Sequence, residues 1–189
     1  MATLFETREQ MVELLVRPDS AIAEIGVFKG TFSKFLYEHL SPSKLVLFDL
    51  FEGQMCSGNQ DGNFVEYTDL AKDFVQIQEW AKSKPEIVFE KGDSSTLLSR
   101  YPDQFFEMIY IDGDHSYGGV KRDLEQAVKK VKPGGWIMGH DYEMNMNKAK
   151  TVYNFGVKRA VDEFCETYKQ TVLAKGNDGC VSYAIQMTK

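Results

Sequence analysis

Apolar positions along this chain alternate between helical spacing and short continuous runs, and that alternation predicts its elements. Leu4, Phe5, Arg8, Met11, Val12, Leu15 and Val16 recur at helical spacing, so an N-terminal helix is expected within residues 1–17. Arg17-Pro18-Asp19 stops it, because proline cannot continue the hydrogen-bond ladder. Ala21 to Ile25 is a short, mostly apolar run ending at Gly26, and after Gly30 the residues Phe32, Phe35, Leu36 and Leu40 mark one face of a second helix. Leu45-Val46-Leu47-Phe48 is continuously apolar up to Asp49, the pattern of a strand covered on both faces. A polar segment from Phe51 to Asn63 precedes a helical pattern from Tyr67 to Trp80 and a strand at Ile87-Val88-Phe89. Phe105 to Ile111 reads as a strand ending in Asp112. Val120, Leu124, Ala127, Val128 and Val131 then trace a helical stripe that Pro133-Gly134-Gly135 terminates. Trp136-Ile137-Met138 is a further strand, followed by Gly139-His140-Asp141, a loop from Tyr142 to Asn154 and a helix from Gly156 to Tyr168. The rhythm then breaks. Thr171 to Ala174 and Cys180 to Ile185 are strand-like runs separated only by Lys175-Gly176-Asn177-Asp178-Gly179, a hairpin signal. The chain should therefore be α/β and doubly wound, with a mostly parallel seven-stranded sheet, an antiparallel C-terminal hairpin and helices on both faces.

Composition narrows the class. With 189 residues, 43% of them hydrophobic and 26% charged, the chain holds enough apolar material for one core and too little length for two ordinary domains. One domain over 1–189 is expected: the N-terminal helix, a core over 18–142, then a lid loop, a helix and the hairpin over 143–189. A formal net charge of -6 argues against a surface built to neutralise phosphates, so a nucleic-acid partner is not expected. Cys56, Cys165 and Cys180 are widely spaced, odd in number and without a CxxC pair, which suits neither a disulfide framework nor a zinc site. The opening residues carry a charge and no continuous apolar stretch, so no signal peptide or membrane span is expected and a cytoplasmic location is. The N-terminal helix and the hairpin are the candidate faces of a homodimer.

In open α/β sheets ligands sit beyond the carboxyl ends of the strands, so the residues just after each apolar run carry the chemistry. Here they are unusually polar: Glu24-Ile25-Gly26-Val27-Phe28-Lys29-Gly30, Asp49, Gly92-Asp93-Ser94, Asp112-Gly113-Asp114-His115-Ser116-Tyr117 and His140-Asp141. A glycine turn followed about 20 residues later by an acid also marks dinucleotide-binding domains, so those two features alone leave an NAD(P)-dependent oxidoreductase open. The full G-x-G-x-x-G spacing is absent.

Taken together, these five segments resemble the class I S-adenosylmethionine-dependent methyltransferases, a Rossmann-like family, and in particular their small O-methyltransferase-like branch with an Asp-Gly-Asp-His-Ser-Tyr segment. The resemblance covers roughly residues 20–142. It implies that the turn with Glu24, Gly26 and Gly30 lies against the amino-acid part of S-adenosyl-L-methionine, that Asp49 bonds the ribose hydroxyls, and that Asp93 and Ser94 meet adenine. Asp112 closes the same donor site. The physics of the turn agrees, since glycine permits positive φ and close approach, and a carboxylate can accept two bonds from a vicinal diol. At Phe28 the broader family often carries glycine, so this loop must pass the donor with a bulkier side chain directed elsewhere.

A sulfonium donor is already activated, which leaves the enzyme to align the acceptor and take its proton. By resemblance Asp112, His115 and His140 are the catalytic candidates, with Asp112 and Asp141 as ligands of a divalent ion such as Mg²⁺, and a small hydroxylated acceptor, a sugar or natural product, as substrate. The same acids and histidines would also suit a metal-dependent hydrolase, and a non-catalytic module that kept the donor pocket would show the same rim. Structural roles compete as well: Asp112 bonding backbone amides, Asp114 or Ser116 capping the next helix, and His140 satisfied by a neighbour. The loops over 51–63 and 142–154 are candidate acceptor lids, with Phe51, Glu52, Tyr142 and Asn145 as contacts.

Overall fold

A computed structural model describes residues 1–51, 54–58, 65–144, 156–177 and 179–188. The chain opens with β1 (Thr3–Phe5) and α1 (Arg8–Leu15). It continues through β2 (Ala21–Ile25), α2 (Thr31–Leu40), β3 (Lys44–Asp49), a separate pair β4 (Gln54–Gly58) and β5 (Val65–Asp69), and α3 (Leu70–Ala81). The second half runs β6 (Ile87–Lys91), α4 (Ser94–Leu98), β7 (Phe106–Ile111), α5 (Tyr117–Lys130), β8 (Val131–Met144), α6 (Val157–Tyr168), β9 (Val172–Asn177) and β10 (Cys180–Gln186).

Among the described residues the main sheet has eight strands in the order β1-β9-β10-β8-β7-β2-β3-β6. The block β8-β7-β2-β3-β6 is parallel, and the β9–β10 hairpin runs antiparallel within itself and against β8. Period-two alternation along the central strands divides the core in two. Ala21, Ala23, Ile25, Val46, Phe48, Ile109 and Ile111 face α4, α5 and α6. Ile22, Leu45, Leu47, Met108 and Tyr110 face α1, α2 and α3. Leu45 to Phe48 are all fully buried, each such side chain stabilising the fold by about 1.5–3 kcal/mol. The doubly wound α/β fold with its antiparallel C-terminal hairpin is thus present. Among the described residues no helix is long and apolar enough to cross a membrane.

Three local expectations are corrected. The sheet has eight strands where the sequence predicts seven, because Thr3–Phe5 leaves the helical stripe and pairs parallel with β9. The helix begins only at Arg8: the Thr7 hydroxyl accepts from Gln10 N at 3.1 Å, and the Gln10 side chain accepts from Glu6 N at 2.9 Å, a reciprocal cap that outweighs the apolar spacing. Likewise α3 starts at Leu70, not Tyr67, because Asp69 caps Ala71 N and Lys72 N while residues 65–69 pair with β4. The supposed lid contacts Phe51 and Tyr142 are buried instead. Phe51 stacks on Phe74 at 4.1 Å, and the Tyr142 hydroxyl donates to Asp162 at 2.7 Å. Glu52, Asn145, and most of the loops 51–63 and 142–154, lie outside the described residues.

Candidate functional site

Parallel register sets the site. Ile25 pairs with Phe48 on one side and Ile111 on the other, and Ile111 pairs with Gly139, so the residues following these strands are brought side by side. Phe48 pairs with Glu90, which adds the Gly92-Asp93-Ser94 segment to the row. A cavity of about 610 Å³ opens along this edge, lined by the donor-site candidates Glu24, Gly26, Asp49, Asp93, Ser94 and Asp112, while Gly30 turns toward Ile77 and does not line it. Four of the five predicted strand ends line it. The fifth, His140-Asp141, joins through contacts with Asp112 and His115.

The turn after β2 is built on positive φ at Gly26 (87°), Phe28 (50°) and Gly30 (72°). A Cβ at Gly26 would lie 2.1 Å from the Asp112 carbonyl oxygen, so only glycine lets β2 and β7 close here. Phe28 keeps the conformation glycine adopts readily, with its ring at the rim and the Lys29 ammonium 5.3 Å from the ring centre. This is how the loop passes the cavity with a bulky residue. Asp49 accepts from Val27 N at 2.7 Å, Phe28 N at 3.1 Å and Phe51 N at 3.0 Å. Its carboxylate therefore ties the turn to β3, a role beyond the ribose contact implied by resemblance.

Asp93 caps α4 through Thr96 N at 2.8 Å, and the Ser94 hydroxyl donates to Asp123 at 2.6 Å. Asp123 sits at the cavity wall on α5, and burial pushes its carboxyl up to about 6. Ser116, not Asp114, caps α5, accepting from Gly119 N at 3.1 Å, while Asp114 accepts from Ser116 N.

At one end of the cavity His115 Nε2 stands between Asp112 Oδ1 at 3.2 Å and Asp141 Oδ2 at 2.9 Å, and His140 Nδ1 reaches Asp141 at 3.3 Å and Asp112 at 3.8 Å. Burial alone would lower the His115 pKa, but its two carboxylate partners push it up to about 10. Burial works the other way on Asp141, and bonds from both histidines still hold it well below the usual carboxylate range. The backbone at Asp141 is left-handed (φ 56°), which turns its side chain back toward Asp112. Ligand atoms of Asp112, His115 and Asp141 lie within 4.8 Å of one another, so this donor set fits a divalent ion.

Charged residues that the sequence reading gave no role also line the cavity, among them Asp123 and Arg8, the latter 3.3 Å from Asp112. Both lie within apolar helical stripes, and a charge at a stripe position is the signal that could have found them. Glu24, on β2, is 2% exposed and accepts from the Ser33 hydroxyl at 2.5 Å. Burial pushes its carboxyl from the ordinary 4.5 up to about 8. The folded protein then holds a proton that the unfolded chain releases, so stability falls as pH rises from about 4.5 to about 8. Glu24→Gln should flatten that part of the curve, measured as unfolding midpoint against pH; an unaltered slope would contradict it.

Comparison with known proteins places the chain in a family. A family model described as a methyltransferase domain matches residues 23–142, more than half of the chain. An uncharacterized protein of Acanthamoeba polyphaga mimivirus is 25% identical over 141 residues, 74% of this chain and 59% of that protein. The chain thus matches under two thirds of that relative's length. Among solved structures, the N-methyltransferase NodS from Bradyrhizobium japonicum is 14% identical with a TM-score of 0.67, covering 96% of this chain and 93% of that one; NodS has also been solved with S-adenosyl-L-homocysteine. The tRNA methyltransferase TrmK from B. subtilis is 10% identical with a TM-score of 0.63, covering 98% of this chain and 67% of that one. At these identities the likeness concerns the fold, and it spans methyltransferases with different acceptors. The match over 23–142 contains all five polar strand ends, and by it the chain belongs to the methyltransferase-domain family.

Proposed function

We propose that this methyltransferase takes its methyl group from S-adenosylmethionine and delivers it to a hydroxyl oxygen of a small acceptor, a sugar or natural product, as in the O-methyltransferase-like branch its Asp112 to Tyr117 segment resembles. One observation carries the reading: Asp112 and His115 line the cavity at the strand ends, backed by contacts with His140 and Asp141, and these groups are able to hold a proton beside a transferred methyl. In this reading the donor's amino-acid part lies along Glu24, Gly26 and Gly30, its ribose meets Asp49, and its adenine lies toward Asp93, Ser94 and Asp123. The chain's net charge of -6 favours a small acceptor over RNA.

In the metal-free site His115 is the counter-charge of two carboxylates and stands protonated at neutral pH, unable to accept a proton. Of the three grouped residues, the carboxylates of Asp112 and Asp141 would hold a divalent ion such as Mg²⁺, leaving the His115 ring to the acceptor. Bound there, the ion would supply positive charge that lowers the acceptor's pKa. After releasing its own proton to solvent, His115 would accept the hydroxyl proton, with Asp141 and Asp112 orienting its ring.

Calorimetric titration with S-adenosylmethionine and S-adenosylhomocysteine, with and without Mg²⁺, tests the donor. Binding is expected in both conditions, and no binding in either would end the proposal. Transfer of labelled methyl to a panel of sugars and phenols, set against RNA, tests the acceptor; methylation of RNA alone would exclude the hydroxyl reading.

A further inference from the structure

We propose that Arg8, delivered from outside the matched methyltransferase segment, binds the carboxylate of the donor's amino-acid part and so selects the intact donor. This rests on the S-adenosylmethionine reading of the site.

The family match begins at residue 23, yet Arg8 on α1 lines the cavity together with Glu24 and Asp112. Its backbone is fixed from both sides. Strand β1 lies parallel to β9, pairing Leu4 with Lys175, and a Cβ at Gly176 would fall 2.8 Å from Arg8 N, so the chain at Arg8 is pressed against that bare glycine. Thr7 caps the helix that starts here. The side chain is 19% exposed, with Nη1 3.3 Å from Asp112 Oδ2, Nε 3.2 Å from Glu9, and the guanidinium carbon 4.4 Å from the centre of the Phe32 ring. Stacking of this kind orients the planar fork, and five N–H donors allow it to serve more than one carboxylate.

The amino-acid part of the donor carries an ammonium beside a sulfonium, and a carboxylate. Asp49 and Asp112 suit the two cationic groups, with Glu24 beside them holding its proton up to about pH 8. A carboxylate placed among those acids without a cation would be repelled and left unpaired. Of the four cationic or basic residues that line the cavity, Arg122 pairs with Asp114 at 3.8 Å, Lys29 lies above Phe28 at the rim and His115 sits between its two acids; Arg8 is itself paired with Asp112 and Glu9, and a five-donor fork can serve a further carboxylate. Arg8 is the cation whose charge acts on Glu24, at the turn where the amino-acid part lies.

The test pairs two ligands with two proteins, using calorimetry on the full chain. S-adenosylmethionine is compared with decarboxylated S-adenosylmethionine, which keeps adenosine, sulfonium and ammonium and lacks only the carboxylate. The wild type should prefer the intact donor by about ten- to a hundredfold, the range for a charge-assisted hydrogen-bonded pair. Arg8→Met should shrink that preference to about twofold or less, chiefly by weakening the intact donor, and Arg8→Lys, which keeps the charge without the fork, should fall between. A purely structural role would weaken both ligands alike. If Arg8→Met, or Arg8→Lys should the methionine variant not fold, keeps the wild-type preference, the proposal is overturned. It is overturned equally if the wild type binds both ligands with the same affinity. Failure of the wild type to bind either would instead refute the donor reading itself.

Discussion

Gly26→Ala should abolish donor binding and lower stability by about 2–5 kcal/mol, the combined scale of a left-handed non-glycine residue and an overpacked contact. The added Cβ would meet the Asp112 carbonyl oxygen at 2.1 Å and Gly113 N at 2.7 Å, and both are backbone atoms. No rotamer change relieves such a clash; β7 must separate from β2. That separation would also break the bond from Asp112 N to Ile25 O, 2.7 Å long, which holds the floor of the site. For a chain of this size the loss corresponds to a fall of roughly 10 °C in the unfolding midpoint. Thermal unfolding and S-adenosylhomocysteine titration check both parts. A variant with an unchanged midpoint and affinity would show that the turn relaxes more easily than its geometry implies.

Asp112→Asn is expected to reduce turnover at saturating donor by about 10²–10⁴-fold, the usual scale for losing the proton-handling machinery, alongside a weaker hold on the donor's cationic groups. Asp112 is one of the two carboxylates facing His115, and its other partners, Arg8 and His140, are cationic or become so when protonated. The amide is close in shape and removes the charge. In the metal-free protein the His115 pKa should therefore drop from about 10 toward its ordinary 6.5. The sign of the stability effect follows. A histidine raised in the folded state contributes stability that is fully present below about 6.5 and is lost as pH rises toward about 10. The penalty from Glu24 is complete by about pH 8 and that from the raised Cys165 thiol begins only near pH 9, so a decline between about pH 8 and 9 reports the raised histidine pair, His115 and His140. That decline should be shallower in Asp112→Asn. Wild-type turnover in the variant would remove Asp112 from the mechanism, and an unmoved His115 titration by NMR would contradict the charge argument.

The placement of site residues follows one pattern. Residues ending apolar runs were legible because a buried parallel strand must be continuously apolar and must stop where the chain reaches the polar rim. Glu24, Asp49, Asp93, Asp112 and His140 all lie at such stops, and the register of β2, β3, β6, β7 and β8 gathers them. Arg8 and Asp123 were not legible in this way. Each occupies a stripe position of an amphipathic helix, and helical spacing does not distinguish a side chain facing the core from one facing a cavity within it.

The same contrast holds for the fold. From its apolar runs and glycine turns alone, the sequence determined the α/β alternation, the terminal hairpin and the identity of the polar rim, because all three depend on local periodicity and turn chemistry. Only the tertiary structure decided that Thr3–Phe5 would be an eighth strand, that residues 54–58 and 65–69 would pair, and that Asp49 would hold the glycine turn by its backbone amides. It also decided that Arg8 would enter the cavity. A three-residue strand and a single arginine have too few neighbours in sequence to fix their state. Their hydrogen bonds and ion pairs come from residues more than a hundred positions away, at β9 and Asp112, and exist only once the sheet has closed.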